Sequence, residues 1–113
     1  MSESFKPKAY LRVGCPYSFK LLLFLSEARL LQTVEIIRCD PDTEEYEQVK
    51  ARLSQATGKP TTFPTVEVEP GRYQSDSDAL IEHFARKHGV DPGTLTALVF
   101  YRESIFPQLE KLH

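Results

Sequence analysis

Apolar and polar residues alternate weakly through "KAYLRV", so Lys8 to Val13 predicts a strand. Gly14 interrupts it, and Pro16 suits the first turn of a helix, where a missing N–H costs nothing. From Tyr17 to Leu31 the apolar residues Phe19, Leu22, Leu23, Phe24, Leu25 and Ala28 go round most of the helix circumference, which predicts a largely buried helix. "VEIIR", Val34 to Arg38, is a second short strand. The polar segment that follows carries one apolar stripe, Tyr46, Val49 and Leu53, so it predicts an amphipathic helix ending at Gly58. Asp42 is its candidate cap, with Glu45 three residues on. Thr65 to Val68 and Arg72 to Gln74 flank Pro70–Gly71 and predict a hairpin with a type II turn. Ser77 opens a helix with Leu80, Ile81 and Phe84 on its inner face, stopping at Gly89. Beyond Pro92–Gly93, the residues Leu95, Leu98, Val99, Arg102, Ile105 and Phe106 keep helical spacing until Pro107 bends or ends the helix.

The predicted order is β-α-β-α-β-β-α. It implies an α/β fold with a right-handed parallel crossover first and an antiparallel hairpin later, hence a four-stranded mixed sheet flanked by helices. Residues 1–90 form the predicted domain, and 91–113 are a helical extension. That helix is expected to dock on the domain, because Phe100, Tyr101 and Phe106 are costly to leave wet.

Composition narrows the partners. With 113 residues, 41% hydrophobic and 27% charged, the chain can bury one usable core. A net charge of −2 gives no electrostatic reason to expect nucleic acid or an anionic membrane. The amino terminus "MSESFKPKAY" shows no apolar signal segment and no stretch is long enough to span a bilayer, so the expected location is cytoplasmic. Cys15 and Cys39 are too few for a disulfide framework or a tetrahedral zinc site. His83, His88 and His113 stand at no ligand spacing with them, so no metal is expected and both thiols are read as reduced.

Cys15 falls in the turn between the first strand and the first helix, at the carboxyl edge of a sheet, where ligands of α/β folds gather. A helix amino terminus carries about half a positive charge and favours thiolate over thiol, and Arg12 adds a cation nearby. A thiolate is the nucleophile of thiol–disulfide exchange. The plainer reading is a buried, inert cysteine; Gly14 and Pro16, loop and helix-start residues, weigh against it. For Cys39 the plainer reading is preferred. The parallel pairing of the first two strands puts it along the same sheet edge, which keeps a resolving role open.

"CPYS" at Cys15 to Ser18 resembles the active-site motif of glutaredoxins with its second cysteine replaced. "TFPT" at Thr62 to Thr65 resembles the segment that holds the cis-proline of the thioredoxin-like fold, here Pro64. "SDSDAL" at Ser75 to Leu80 resembles the acidic-Ser pair opening the third helix of glutathione transferases. The element order resembles the amino-terminal domain of those transferases over about residues 8 to 90.

The resemblance implies a glutathione site. Asp76 would hold the γ-glutamyl amine, while Ser77 and the helix end behind it would bind the adjacent carboxylate; a simple helix cap explains the same residues. Phe63 would pair its backbone with the cysteinyl part, beside Pro64 in cis. Arg12 and Lys59 are candidates for the glycine carboxylate, and Tyr17 would pack over the mixed disulfide. Without a second motif cysteine no dithiol cycle operates, so Cys15 would act alone, with Ser18 serving the thiolate through its hydroxyl or its backbone N–H.

The chain also departs from each parent family. Residues 91–113 leave room for one helix where transferases carry a large helical second domain, which argues against full transferase activity on bulky electrophiles. Glutaredoxins place paired glycines before their last helix, and here "YQSDSD" stands instead. The expected function is a small monothiol, glutathione-dependent oxidoreductase acting on glutathionylated proteins, with a homodimer possible. Two alternatives are a non-catalytic module that binds glutathione or a protein, and a dimer holding an iron–sulfur cluster, the latter weakened by Pro16.

Overall fold

The computed structural model describes residues 5–112; His113 lies outside them. Strand β1 (Lys8–Arg12) leads into helix α1 (Pro16–Glu27), a 3₁₀ turn (Leu31–Thr33), strand β2 (Glu35–Cys39) and helix α2 (Glu44–Thr57). The hairpin β3 (Thr65–Glu69) and β4 (Arg72–Ser75) precedes helix α3 (Ser77–His88) and a second 3₁₀ turn (Pro92–Thr94). Helix α4 (Thr96–Phe100), a π-helical turn (Tyr101–Ile105) and helix α5 (Phe106–Leu112) then run on without leaving helical backbone.

The four strands form one mixed sheet in the order β2-β1-β3-β4. β1 and β2 are parallel with Arg12 opposite Cys39, and β3 is antiparallel to both β1 and β4. This is the thioredoxin-like arrangement the element order implied. The period of two in a strand sorts β1 between two cores. Ala9 and Leu11 join Leu21, Phe24 and Leu25 of α1 and Leu80, Ile81 and Phe84 of α3. Tyr10 joins Cys39 and Leu53 in a smaller cluster. The thiol-bearing turn therefore grows out of a strand buried on both faces.

Several expectations change. Helix α1 ends at Glu27 and does not reach Leu31, because Arg29 takes a left-handed conformation (φ 62°). Arg29 N–H bonds the Ser26 carbonyl and Leu30 N–H the Leu25 carbonyl, the double bond of a Schellman end. Glycine usually marks such an end, so the sequence carried no signal for it. The helix is also not buried all round: Lys20 is only 3% exposed, whereas Phe19 is 46% exposed.

Helix α2 is capped by Thr43, not Asp42. Thr43 Oγ1 accepts from Tyr46 N–H at 3.3 Å, while Asp42 uses its own N–H in a turn with Asp40. Thr43→Ala should accordingly cost about 1 kcal/mol in urea unfolding. Asp42→Ala should cost much less, and the reverse ranking would restore the cap predicted from sequence.

The carboxyl-terminal helix docks on its own domain as expected, with one exception among the aromatics. Leu98, Tyr101 and Phe106 are buried, but Phe100 is 64% exposed. Pro107 does not end the helix, since the π turn ahead of it passes directly into α5. At the start of α4 the Glu27 carboxylate accepts from Ala97 and Leu98 N–H, both at 2.9 Å. A side chain from α1 thus satisfies donors that no local residue caps. Among the described residues, no helix is long and apolar enough to cross a membrane.

Candidate functional site

Gly14 (φ 81°) turns the chain out of β1 and Pro16 occupies the first position of α1, leaving Cys15 as the N-cap. Its sulfur takes the place a capping oxygen normally holds and accepts from Ser18 N–H at 3.4 Å. The thiol lies 3.9 Å from the Phe63 carbonyl and can donate to it. The peptide from Phe63 to Pro64 is cis. Cys15, Ser18, Phe63 and Pro64 are therefore brought together, as the motifs implied.

Contrary to the expectation drawn from its neighbours, Cys15 is only 6% exposed. It lines a cavity of about 290 Å³ with Gly14, Pro16, Phe19, Tyr101 and Leu109. The thiol has room beside it, although little of its own surface meets solvent.

The two options for Ser18 separate. Its hydroxyl accepts from Arg12 N–H at 3.0 Å and is committed to the end of β1. Its backbone N–H is the group that faces the sulfur.

Arg12 turns its guanidinium to Tyr46, with Nε donating to the hydroxyl at 3.1 Å, and Tyr46 stacks on Phe63 with ring centroids 5.7 Å apart. Tyr46 was legible only as one member of a helical apolar stripe; in the structure it connects the cation to the backbone beside the thiol. Lys59 sits exposed just beyond Gly58, and its carbonyl accepts from the Ser54 and Thr57 hydroxyls. Tyr17 packs edge-on against Phe106 at 5.1 Å and donates to Glu110 at 3.2 Å. Partial burial and the Glu110 carboxylate push its phenol up.

At the start of α3, Asp76 has φ 81° and caps the helix, its Oδ1 accepting from Asp78 N–H at 3.1 Å. Its carboxylate stays exposed, while Ser77 is buried. Capping is thus real here and leaves part of the carboxylate open to solvent.

Asp78 makes a connection that sequence reasoning missed. Its Oδ1 receives Lys20 Nζ at 3.1 Å and Arg102 Nη2 at 2.7 Å, tying α1, α3 and the carboxyl-terminal helix together. Lys20 Nζ also lies 3.9 Å from the centroid of Phe106. Burial by itself would raise the Asp78 carboxyl, but the bonds and charges of Arg102 and Lys20 outweigh it and hold the group below the usual carboxylate range.

Cys39 is packed with Tyr10 and Leu53, and its thiol lies 3.6 Å from the Ile37 carbonyl. Burial pushes that thiol up, against a weaker lowering by Arg52, which disfavours the thiolate a resolving cysteine needs. Both cysteines are free thiols.

Residues 14–87 match the family profile described as the glutathione S-transferase N-terminal domain. No curated protein matches the sequence. Among solved structures, a possible glutathione S-transferase from Rhodopseudomonas palustris is 18% identical with a TM-score of 0.57, covering 96% of this chain and 57% of that one. A diazinon-metabolizing glutathione S-transferase of the silkworm, Bombyx mori, is 20% identical with a TM-score of 0.58, covering 88% and 52%. Both likenesses are likenesses of fold, and the chain spans little more than half the length of either protein. With the profile reaching from the glycine before the thiol almost to the end of α3, the chain belongs to the glutathione S-transferase N-terminal domain family.

Proposed function

We propose that this protein is a glutathione-dependent thiol–disulfide oxidoreductase in which Cys15 is the nucleophile. The observation that carries the reading is the Cys15 sulfur at the N-cap of α1, accepting from Ser18 N–H beside the Phe63 carbonyl. A backbone donor favours the anionic sulfur, and a helix amino terminus adds its partial positive charge. The Cys15 thiolate attacks the glutathione sulfur of a protein–glutathione disulfide. A Cys15–glutathione disulfide forms, and the protein thiolate leaves and takes up a proton. A second glutathione thiolate then attacks the glutathione sulfur of that mixed disulfide, releasing glutathione disulfide and Cys15. The substrate disulfide is reduced by two electrons, both supplied by glutathione.

The edge beside Phe63 offers backbone groups to the cysteinyl part of glutathione. The exposed Asp76 carboxylate suits the γ-glutamyl amine, and Ser77 with the α3 amino terminus suits its carboxylate. Arg12 and Lys59 supply cations for the glycine carboxylate. Tyr17, held against Phe106 and Glu110 of the carboxyl-terminal helix, would pack over the mixed disulfide. A cytoplasmic, reducing setting goes with this chemistry.

The near-complete burial of Cys15 favours one other reading, a module that binds glutathione or a protein without turnover. Incubation with glutathione disulfide followed by intact mass measurement separates them. Exchange predicts one glutathione adduct, mapped to Cys15 and removed by added glutathione. An unmodified chain that still binds glutathione by calorimetry would leave the binding module.

A further inference from the structure

We propose that Tyr101 is a positioning residue for Cys15, brought to it by the π-helical turn of the carboxyl-terminal helix. The proposal rests on Cys15 being the reactive thiol. It adds a requirement that the family match, which stops at residue 87, does not contain.

In an α-helix, residues five apart lie about 140° apart around the axis, so Tyr101 and Phe106 would face different surroundings. Here Phe106 N–H bonds the Tyr101 carbonyl, the i→i+5 pattern of a π turn, which brings the two side chains round to one side. Both are buried, with ring centroids 5.9 Å apart. Phe106 meets Tyr17 at 5.1 Å, and Tyr101 meets Phe19 at the same distance. The inserted residue thus sets two aromatics against the first turn of α1, where a regular helix would set one.

Tyr101 does more than pack. Its hydroxyl donates to the Pro16 carbonyl at 2.7 Å, across 85 residues of chain. Pro16 is the residue between the thiol and the rest of α1. Its peptide sets the spacing between the Cys15 sulfur and the Ser18 N–H that faces it. The same ring walls the cavity beside the thiol, with Gly14, Phe19 and Leu109. Burial, and after it the charge of a Cys15 thiolate, push the Tyr101 phenol up, so it remains a protonated donor near neutral pH.

Tyr101→Phe keeps the ring and removes only this bond. The test is the alkylation rate of Cys15 by iodoacetamide as a function of pH, in a Cys39→Ala background, which requires no glutathione. Ser104→Ala is the control: its hydroxyl bonds the Phe100 carbonyl within the same helix at 2.6 Å. Tyr101→Phe is expected to move the alkylation profile to higher pH and slow the reaction near neutrality about three- to tenfold, the loss of one hydrogen bond's worth of positioning. Ser104→Ala should superimpose on the parent. A Tyr101→Phe profile that superimposes on the parent overturns the proposal, and so does an equal shift in both variants, which would mark a general loosening of the helix. Failure of the parent to form a glutathione adduct would reject the exchange reaction while leaving this comparison readable.

Discussion

Cys15→Ser abolishes the glutathione adduct and lowers thiol–disulfide exchange by about a thousandfold or more, because a hydroxyl at this position cannot form the mixed disulfide. The substitution is nearly isosteric and serine is itself a good N-cap, so α1 should keep its first turn and the fold its stability. That separation makes the result informative: activity disappears without unfolding. Ser18→Ala is the counterpart. The backbone N–H that faces the sulfur survives it, whereas Arg12 N–H loses its acceptor. Exchange should fall by no more than about threefold, while stability drops by about 1 kcal/mol. If Ser18→Ala silenced exchange as fully as Cys15→Ser, the hydroxyl would be the catalytic group and the geometry at the helix start would have been misread.

Asp78→Ala should destabilise the protein by about 2 kcal/mol. Removing one partner of a buried pair costs about 3–5 kcal/mol, since the other charge is left without compensation. Lys20 is that other charge, and the Asp78 side chain is 61% exposed, so water softens the loss. Lys20→Met behaves differently: it removes the buried charge, retains the packing against Phe106, and leaves Asp78 paired with Arg102. It should be close to neutral.

The acid dependence follows from the same contacts. Asp78 is held below its unfolded value of about 3.9, so its contribution is complete above that pH and is lost as pH falls through the lower folded value. Urea midpoints should show the wild type losing this part of its stability below about pH 4, with Asp78→Ala flatter over the same range. Equal midpoints at neutral pH together with parallel acid profiles would show that the ion pair contributes nothing.

Much of the fold was legible because its signals are local. Alternation marks β1, Gly14 and Pro16 mark the turn, and Pro70–Gly71 marks the hairpin. Errors occurred where several residues offered the same signal or none did. Asp42 and Thr43 are both competent cap types, and only backbone geometry selects Thr43. Arg29 ends α1 without a glycine, because Leu30 is pulled into the core behind it. The π turn leaves no mark in the helical spacing, so nothing in the sequence tells the exposed Phe100 from the buried Tyr101 and Phe106.

Taken alone, the sequence determined the element order, the mixed sheet, and a cysteine at the start of a helix beside a proline-bearing segment. These depend on periodicity and turn chemistry acting over a few residues. Tertiary structure decided which group of Ser18 faces the sulfur, where Lys20 finds its carboxylate 58 residues away, and that Tyr101 reaches Pro16 across 85. Those choices come from packing between distant elements, where a buried polar group must find whichever partner the fold brings within reach.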